Sequence, residues 1–537
     1  MILKKDINSR IFFLFSILLN LLLIVLVFAN ISEKQIYTYF NSDTLYLPSV
    51  YKDVIIDKSG FKGWNLNGAP NFLPDMGLFF IIRSFFDHFI PACFTFSLVQ
   101  VLIILILFPI LYKRFFPKIT YYQIGIGNLL MSLFLLVTLI NNDFVYTFYL
   151  LSISYHTGAF VMFLIASIFI SRYIKTEKTA HLYFILGICT ISIINDRLFL
   201  ILFSFPLYSL IILLFSRING KSKIIKLLII NTASIVLGLF FFRMLRLSGY
   251  IHIISLSWKV FNFKNIVPSL SMFLQQHTFY LKQLDVRSII NILCLLSIVI
   301  HLIILVRKYL LSIKNETQNK VELIYLLLFC SSFLIVIATP IVNGSYVSWA
   351  ILRYNIYSLY LGVFSFSYLF FKLYNKLKIS QSVIAWGIFL IIIVSIFFHS
   401  NISRKSIKSN LNYFFTYYPK QVENIDNISE QYSIKYGVAE YWTAKYITMF
   451  SKKDVRVYTV FDDLSIWYHV TNKNWYYKNG KGAFANPEFN FLIKGNIKNE
   501  TIKENLNLPI DTLSWCNDTI LVFNEFEFDS KTRKPVF

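Results

Sequence analysis

Residues 11–31 read IFFLFSILLNLLLIVLVFANI, twenty-one positions without a charge. A helix of that length rises about 30 Å, the thickness of a bilayer's hydrocarbon core. Lipid offers the backbone no hydrogen-bonding partner, so a run of this kind is expected to cross as a helix. Lys4, Lys5 and Arg10 precede it. The run is too long for a signal-peptide core and no A-x-A site follows, so an uncleaved anchor with a cytoplasmic N-terminus is expected.

Further apolar runs follow at about 92–112, 122–142, 157–172, 181–195, 198–216, 224–242, 288–306, 321–340, 354–373 and 381–399, giving about eleven spans. Charge supplies a second signal. Alternate loops hold Lys113, Arg114 and Lys118; Arg172, Lys175 and Lys178; Arg217, Lys221, Lys223 and Lys226; Arg307, Lys308, Lys314 and Lys320; and Lys372, Lys376 and Lys378. The positive-inside rule places all five loops with the N-terminus. The expected fold is therefore a polytopic α-helical membrane protein, with a small α/β domain after the last span.

Composition agrees. Apolar residues make up 56% of the chain and charged residues 15%, where a soluble domain carries roughly 25% charged. The formal charge of +23 would suggest nucleic acid in a soluble protein, but here many of the cations sit in short loops between apolar runs, which argues against that partner. Of five cysteines, Cys93, Cys189, Cys294 and Cys330 fall in or beside apolar runs and only Cys516 lies in the tail, so neither an internal disulfide of the tail nor a metal-type cysteine spacing is present.

The expected organisation is a transmembrane domain over 1–399, including a first outward loop at 32–91, and an outward domain over 400–537. Within the first loop, Met76 to Ile90 is apolar but broken by Arg83, Asp87 and His88, the pattern of a helix lying in the interface. In the tail, Lys435–Phe450 reads as a helix, Val455–Phe461 and Phe489–Ile493 as strands, Ile502–Leu506 as helical and Thr519–Phe523 as a strand.

Ionisable residues near membrane helices are expected where function or a wet cavity requires them. Asp43 lies in NSDTLYLP and Asp75 follows Pro74 in the first loop. His156 sits at the outer end of the fourth span, Asp196 and Arg197 at the turn after the fifth, and Arg353 just before the tenth. The topology puts all six at the outer boundary. Each also has a plain structural reading. Asp43 and Asp75 could cap helices, Asp196 and Arg197 could pair with each other, His156 could be a satisfied boundary residue, and Arg353 could snorkel to headgroups. Trp442, Trp467, Trp475, Tyr476 and Tyr477 could stack on sugars or pack a core.

The plan resembles the GT-C superfamily of integral membrane glycosyltransferases. An inward N-terminus, a first span, a long outward loop with Asp43, an interfacial helix and a terminal α/β domain carry the likeness, with Arg353-Tyr354 at the mouth of a late span. The resemblance implies a bacterial inner-membrane enzyme that takes a sugar from a polyprenyl phosphate and passes it, with inversion, to a glycan or lipid acceptor outside the cytoplasm. Asp43 would be the base, Arg353 with Tyr354 would bind the donor phosphate, Asp75 would position, and His156, Asp196 and Arg197 would line the cavity. Many members carry two close acids in the first loop. Asn41 and Leu45 flank Asp43 instead, which speaks against a divalent metal, since such an ion wants several oxygen ligands together. No other cofactor is implied. The rival readings are a polysaccharide polymerase or ligase, and a transporter or flippase of a lipid-linked saccharide. The first favours a large loop between late spans, and the second favours mid-membrane charges and repeated halves; neither pattern is present in the sequence.

Overall fold

The structure, a computed structural model, describes residues 2–215, 221–253, 262–310, 317–374, 380–399, 404–477 and 487–536. It divides into two compact units. The helical unit comprises Met1–Ile31, Asn71–Phe241 and Ser257–Asn412; the strand-containing unit comprises Ser32–Pro70, Phe242–Leu256 and Tyr413–Phe537. The segment read as one loop, 32–91, is thus shared: 32–70 joins the strand-containing unit and 71–91 the helical one.

Among the described residues, seven helices are long and apolar enough to cross a membrane: Ile7–Asn30, Phe89–Phe115, Tyr121–Asn141, Thr157–Thr176, Ser222–Leu247, Val286–Ile304 and Gln381–Phe398. Shorter apolar helices occupy Thr179–Asn195, Leu200–Ile212 and Leu327–Val342, and a further helix runs Leu352–Tyr374. Among the described residues, every run expected to span therefore coincides with helix, seven of them at full spanning length. Of the loop cations used for orientation, Arg217, Lys314, Lys376 and Lys378 lie outside the described residues, as do the side chains of Lys221, Arg307, Lys308, Lys320 and Lys372.

Burial separates central helices from peripheral ones. The apolar windows of Tyr121–Asn141 and Thr157–Thr176 are 78% buried, whereas that of Gln381–Phe398 is 11% buried and leaves Phe397 and Phe398 almost bare. An apolar surface of that kind belongs against lipid. Helix contacts inside lipid rely on small residues and interhelical hydrogen bonds. Asn20 Nδ2 donates to Asn128 O at 2.9 Å, and Asn128 Nδ2 donates to Ser16 Oγ at 3.3 Å, tying Ile7–Asn30 to Tyr121–Asn141. Gly125 permits the close approach, because a Cβ there would lie 2.5 Å from the Phe12 ring.

The apolar stretch after Asp75 is not one interfacial helix. It forms a short helix, Gly77–Arg83, and then breaks. Arg83 closes the break by donating to the carbonyls of Phe86 and, at 2.9 Å, Asp87. His88 caps the next helix, which begins at Phe89 and runs directly into its span.

Among the described residues the strand-containing unit holds nine strands: β1 Trp64–Leu66, β2 His252–Ile253, β3 Tyr436–Ala439, β4 Arg456–Thr459, β5 Thr471–Asn472, β6 Phe489–Ile493, β7 Asp511–Trp515, β8 Asp518–Phe528 and β9 Pro535–Val536. One sheet has the order β4-β3-β6-β8-β7, with β9 against β8; a small one has the order β2-β1-β5. β3 and β4 are parallel and joined by the helix Tyr441–Phe450, a crossover unit. Lys435–Phe450, read as one helix, is therefore a strand followed by a helix. Two features of the YGVA stretch explain it. Gly437 packs under Phe491, whose ring would sit 2.4 Å from a Cβ, and β3 lies between β4 and β6 as buried interior strand. The other tail elements fall where expected, the last as part of the longer β8.

Asp53 organises the small sheet. Its buried carboxylate accepts from Trp64 Nε1 at 2.6 Å, Asn472 Nδ2 at 2.9 Å and Trp475 Nε1 at 2.9 Å. Burial raises its pKa above the ordinary carboxylate value, while these three donors work to lower it. Trp475 and Tyr476 are accordingly core residues.

Candidate functional site

In the helical unit the chain reverses between Thr157–Thr176 and Thr179–Asn195, so the start of the first helix and the end of the second lie at the same end. His156 precedes the first and Asp196 follows the second, and their side chains meet: His156 Nδ1 lies 2.6 Å from Asp196 Oδ2. The imidazole nitrogen and the carboxylate oxygen share one proton across this contact. His156 reaches this position from a left-handed backbone, φ +68°, a conformation that costs a non-glycine residue of the order of 1 kcal/mol. Asp196 Oδ1 accepts from the amide of Leu198 at 3.0 Å, which fixes the carboxylate from its own turn.

Asp75 joins them from the preceding segment. Asn195 holds that segment, its Oδ1 accepting from the Leu73 amide at 3.1 Å and its Nδ2 donating to the Leu73 carbonyl at 2.6 Å. The Asp75 side chain then lies over the first turn of Thr157–Thr176, in space left by Gly158, where a Cβ would stand 2.5 Å from Asp75 Oδ2. The residue is 3% exposed, and no hydrogen bond to its carboxylate occurs among the described residues. Burial, with a smaller push from the Asp196 charge, raises its pKa to about 7. A carboxyl titrating there can hold or release a proton at neutral pH.

The start of the Leu352–Tyr374 helix completes the group. Tyr354 packs against His156 with ring centroids 5.3 Å apart, and the Arg353 guanidinium lies 4.9 Å from the centre of the Tyr354 ring. A guanidinium on an aromatic face is a stable posture for a group that binds phosphate through its fork of donors. Arg197 is exposed at the same turn.

Asp43 belongs to the strand-containing unit. The helix after it, Tyr46–Tyr51, takes Leu45 as its cap residue, so Asp43 is not a helix cap. Its Oδ1 accepts the Tyr441 hydroxyl at 2.6 Å. Ser42 Oγ donates to the Tyr441 carbonyl at 2.6 Å, binding the two segments twice over. Lys445, one turn along from Tyr441, is 6% exposed and donates to the Ser42 carbonyl at 3.3 Å. Burial lowers its pKa to about 7, against the pull of Asp43. His469 packs on Tyr441 at 5.1 Å; burial first and the Lys445 charge second lower its pKa to about 4, leaving the ring neutral at physiological pH.

Of the residues singled out in the sequence, Asp75, His156, Asp196, Arg353 and Tyr354 are brought together within the helical unit. Asp43 has a polar neighbourhood of its own, made by Tyr441, Lys445 and His469. Those three escaped the sequence reading because some 400 positions separate them from Asp43. Asn195 and Gly158 escaped it because their part lies in backbone geometry. Among the described residues no group of three or more His, Cys, Asp or Glu is arranged to hold a metal ion. The chain matches no protein-family model and no curated protein.

Proposed function

We propose that this chain is an integral membrane glycosyltransferase of the GT-C type, taking a sugar from a polyprenyl phosphate and passing it to a glycan or lipid acceptor on the outer face of a bacterial inner membrane. The observation that carries the reading is the assembly of Asp75, His156, Asp196, Tyr354 and Arg353 at one end of apolar helices. A donor whose tail lies in lipid would present its phosphate at such an end.

In the transfer an acceptor hydroxyl attacks the anomeric carbon from the face opposite the phosphate. The new C–O bond forms as the bond to the phosphate oxygen breaks, and the hydroxyl proton passes to a carboxylate. The GT-C resemblance casts Asp43 as that base. Help of this kind is worth roughly 10²–10⁴ in rate. The bonding pair leaves with the phosphate, whose growing charge a guanidinium such as Arg353 stabilises. Asp75 holds a proton beside the reacting groups, and the His156–Asp196 pair keeps the polar wall in place.

The test is turnover of polyprenyl-phosphate sugar in membranes carrying Asp43→Asn or Arg353→Ala. Both variants should insert normally and lose at least about a hundredfold in turnover. Unchanged turnover in both removes the residue assignment.

A further inference from the structure

We infer that a face of the strand-containing unit, built from Phe461, Trp467, His469, Tyr441 and Trp442 and bordered by Asp43, binds a saccharide. Phe461, Trp467 and His469 form a row of nearly parallel rings, with centroids 4.9 and 5.5 Å apart and interplanar angles of 19° and 20°. Tyr441 leans on Trp467 at 5.0 Å and carries Trp442 edge-on at 4.9 Å. Phe461 and Trp442 remain 45% and 49% exposed.

The exposed rings are not loose. The Phe461 amide donates to the Ser465 carbonyl at 2.9 Å, Val460 bridges Ile466, and the Trp467 amide donates to Thr459 at 3.1 Å. Asp463 Oδ1 accepts both the amide of Ser465 at 3.0 Å and its hydroxyl at 2.5 Å, tying the tip of the turn. Rings held in place before a ligand arrives lose little entropy on binding it.

Size and the polar border choose the occupant. Two half-exposed rings offer on the order of 200 Å², far short of the roughly 800 Å² a side that a stable protein interface buries. That area suits one or two sugar rings, whose C–H faces are apolar and whose edges carry hydroxyls. Exposed Asp462 and Asp463 supply acceptors beside Phe461, and Asp43 borders the face with its Oδ1 on the Tyr441 hydroxyl. Naming the saccharide as the acceptor rests on the transferase reading; its binding does not.

The full chain in detergent micelles, without donor lipid, is titrated calorimetrically with maltotetraose, mannotetraose and N-acetylchitotetraose. At least one should bind saturably with a Kd in the millimolar range or tighter, and Trp442→Ala and Phe461→Ala should each weaken it about five- to tenfold. Phe397→Ala, an exposed ring of the helical unit, should leave binding unchanged. No saturable binding of any of the three up to about 20 mM, or equal binding by both variants, overturns the inference. So does binding of the wild type to anionic lipid vesicles that both substitutions abolish. Because no transfer is measured, the surface can stand while the transferase reading falls, and the reverse.

Discussion

Asp75 offers a pH dependence with a definite sign. Its pKa rises from an ordinary 3.8 to about 7 because the carboxyl is buried and faces Asp196. That difference corresponds to on the order of 4 kcal/mol against the charged form. The folded chain keeps the Asp75 proton through a range where the unfolded chain has given it up. Folding therefore binds a proton there, and stability falls as pH rises. The contribution is whole below about pH 4 and is lost as pH passes through about 7. Asp75→Asn keeps the shape, carries no charge at any pH and removes the titration. Thermal unfolding of both proteins in the same detergent, from about pH 4 to about pH 8.5, reads the effect as a difference of profiles, which cancels the other titrating groups. The wild type should be close to the variant at the acid end and fall behind it, by up to a few kcal/mol, at the alkaline end. Parallel profiles, with a constant gap throughout, would refute the account of a buried carboxyl at this position.

Gly158→Ala places a Cβ where the Asp75 carboxylate lies. It should insert normally yet lose most turnover in a donor-consumption assay, a loss that Asn195→Ala reproduces by releasing the Leu73 segment. Asp53→Ala strands the indole donors of Trp64 and Trp475 and the amide of Asn472; it should cost on the order of 3–5 kcal/mol and expose the strand-containing unit to limited proteolysis. Lys445→Met should raise the unfolding temperature at pH 7. A lysine whose folded pKa is lowered to about 7 costs stability below its unfolded value of 10.5, and methionine fills the space without that charge. Gly125→Leu should lower the yield of folded protein in detergent, since the added side chain drives Phe12 from its place at a cost of about 1–3 kcal/mol or more.

The helices were the most legible part of the chain because lipid leaves the backbone one way to satisfy itself. A charge-free run such as 122–142 then has a single reading, and the structure places a helix at Tyr121–Asn141. The tail was legible where short apolar runs were bounded by polar residues, as at Phe489–Ile493. It was not legible at Tyr436–Ala439, where the strand leads into a helix after one residue and only the ring of Phe491 above Gly437 gives it away. The grouping of His156 and Asp196 follows from hairpin arithmetic, since the two residues close the same end of adjacent helices. The approach of Asp75 does not follow from that arithmetic. It depends on Asn195 gripping the Leu73 backbone and on a missing Cβ at 158, neither of which has a spacing signature. Likewise the Tyr441 hydroxyl on Asp43 joins segments 398 positions apart. The stretch after Asp75 was misread as one amphipathic helix because the hydropathy pattern does not record the break that Arg83 closes.

The most direct test of the central claim reconstitutes the purified chain in lipid nanodiscs with polyprenyl-phosphate sugars and a pool of short glycan and lipid acceptors, and measures release of free polyprenyl phosphate. The account predicts release by the wild type, with inversion at the anomeric carbon of the product, and its near-complete loss in Asp43→Asn and Arg353→Ala. No release by the wild type, together with movement of the intact lipid-linked sugar across a sealed liposome, would contradict it.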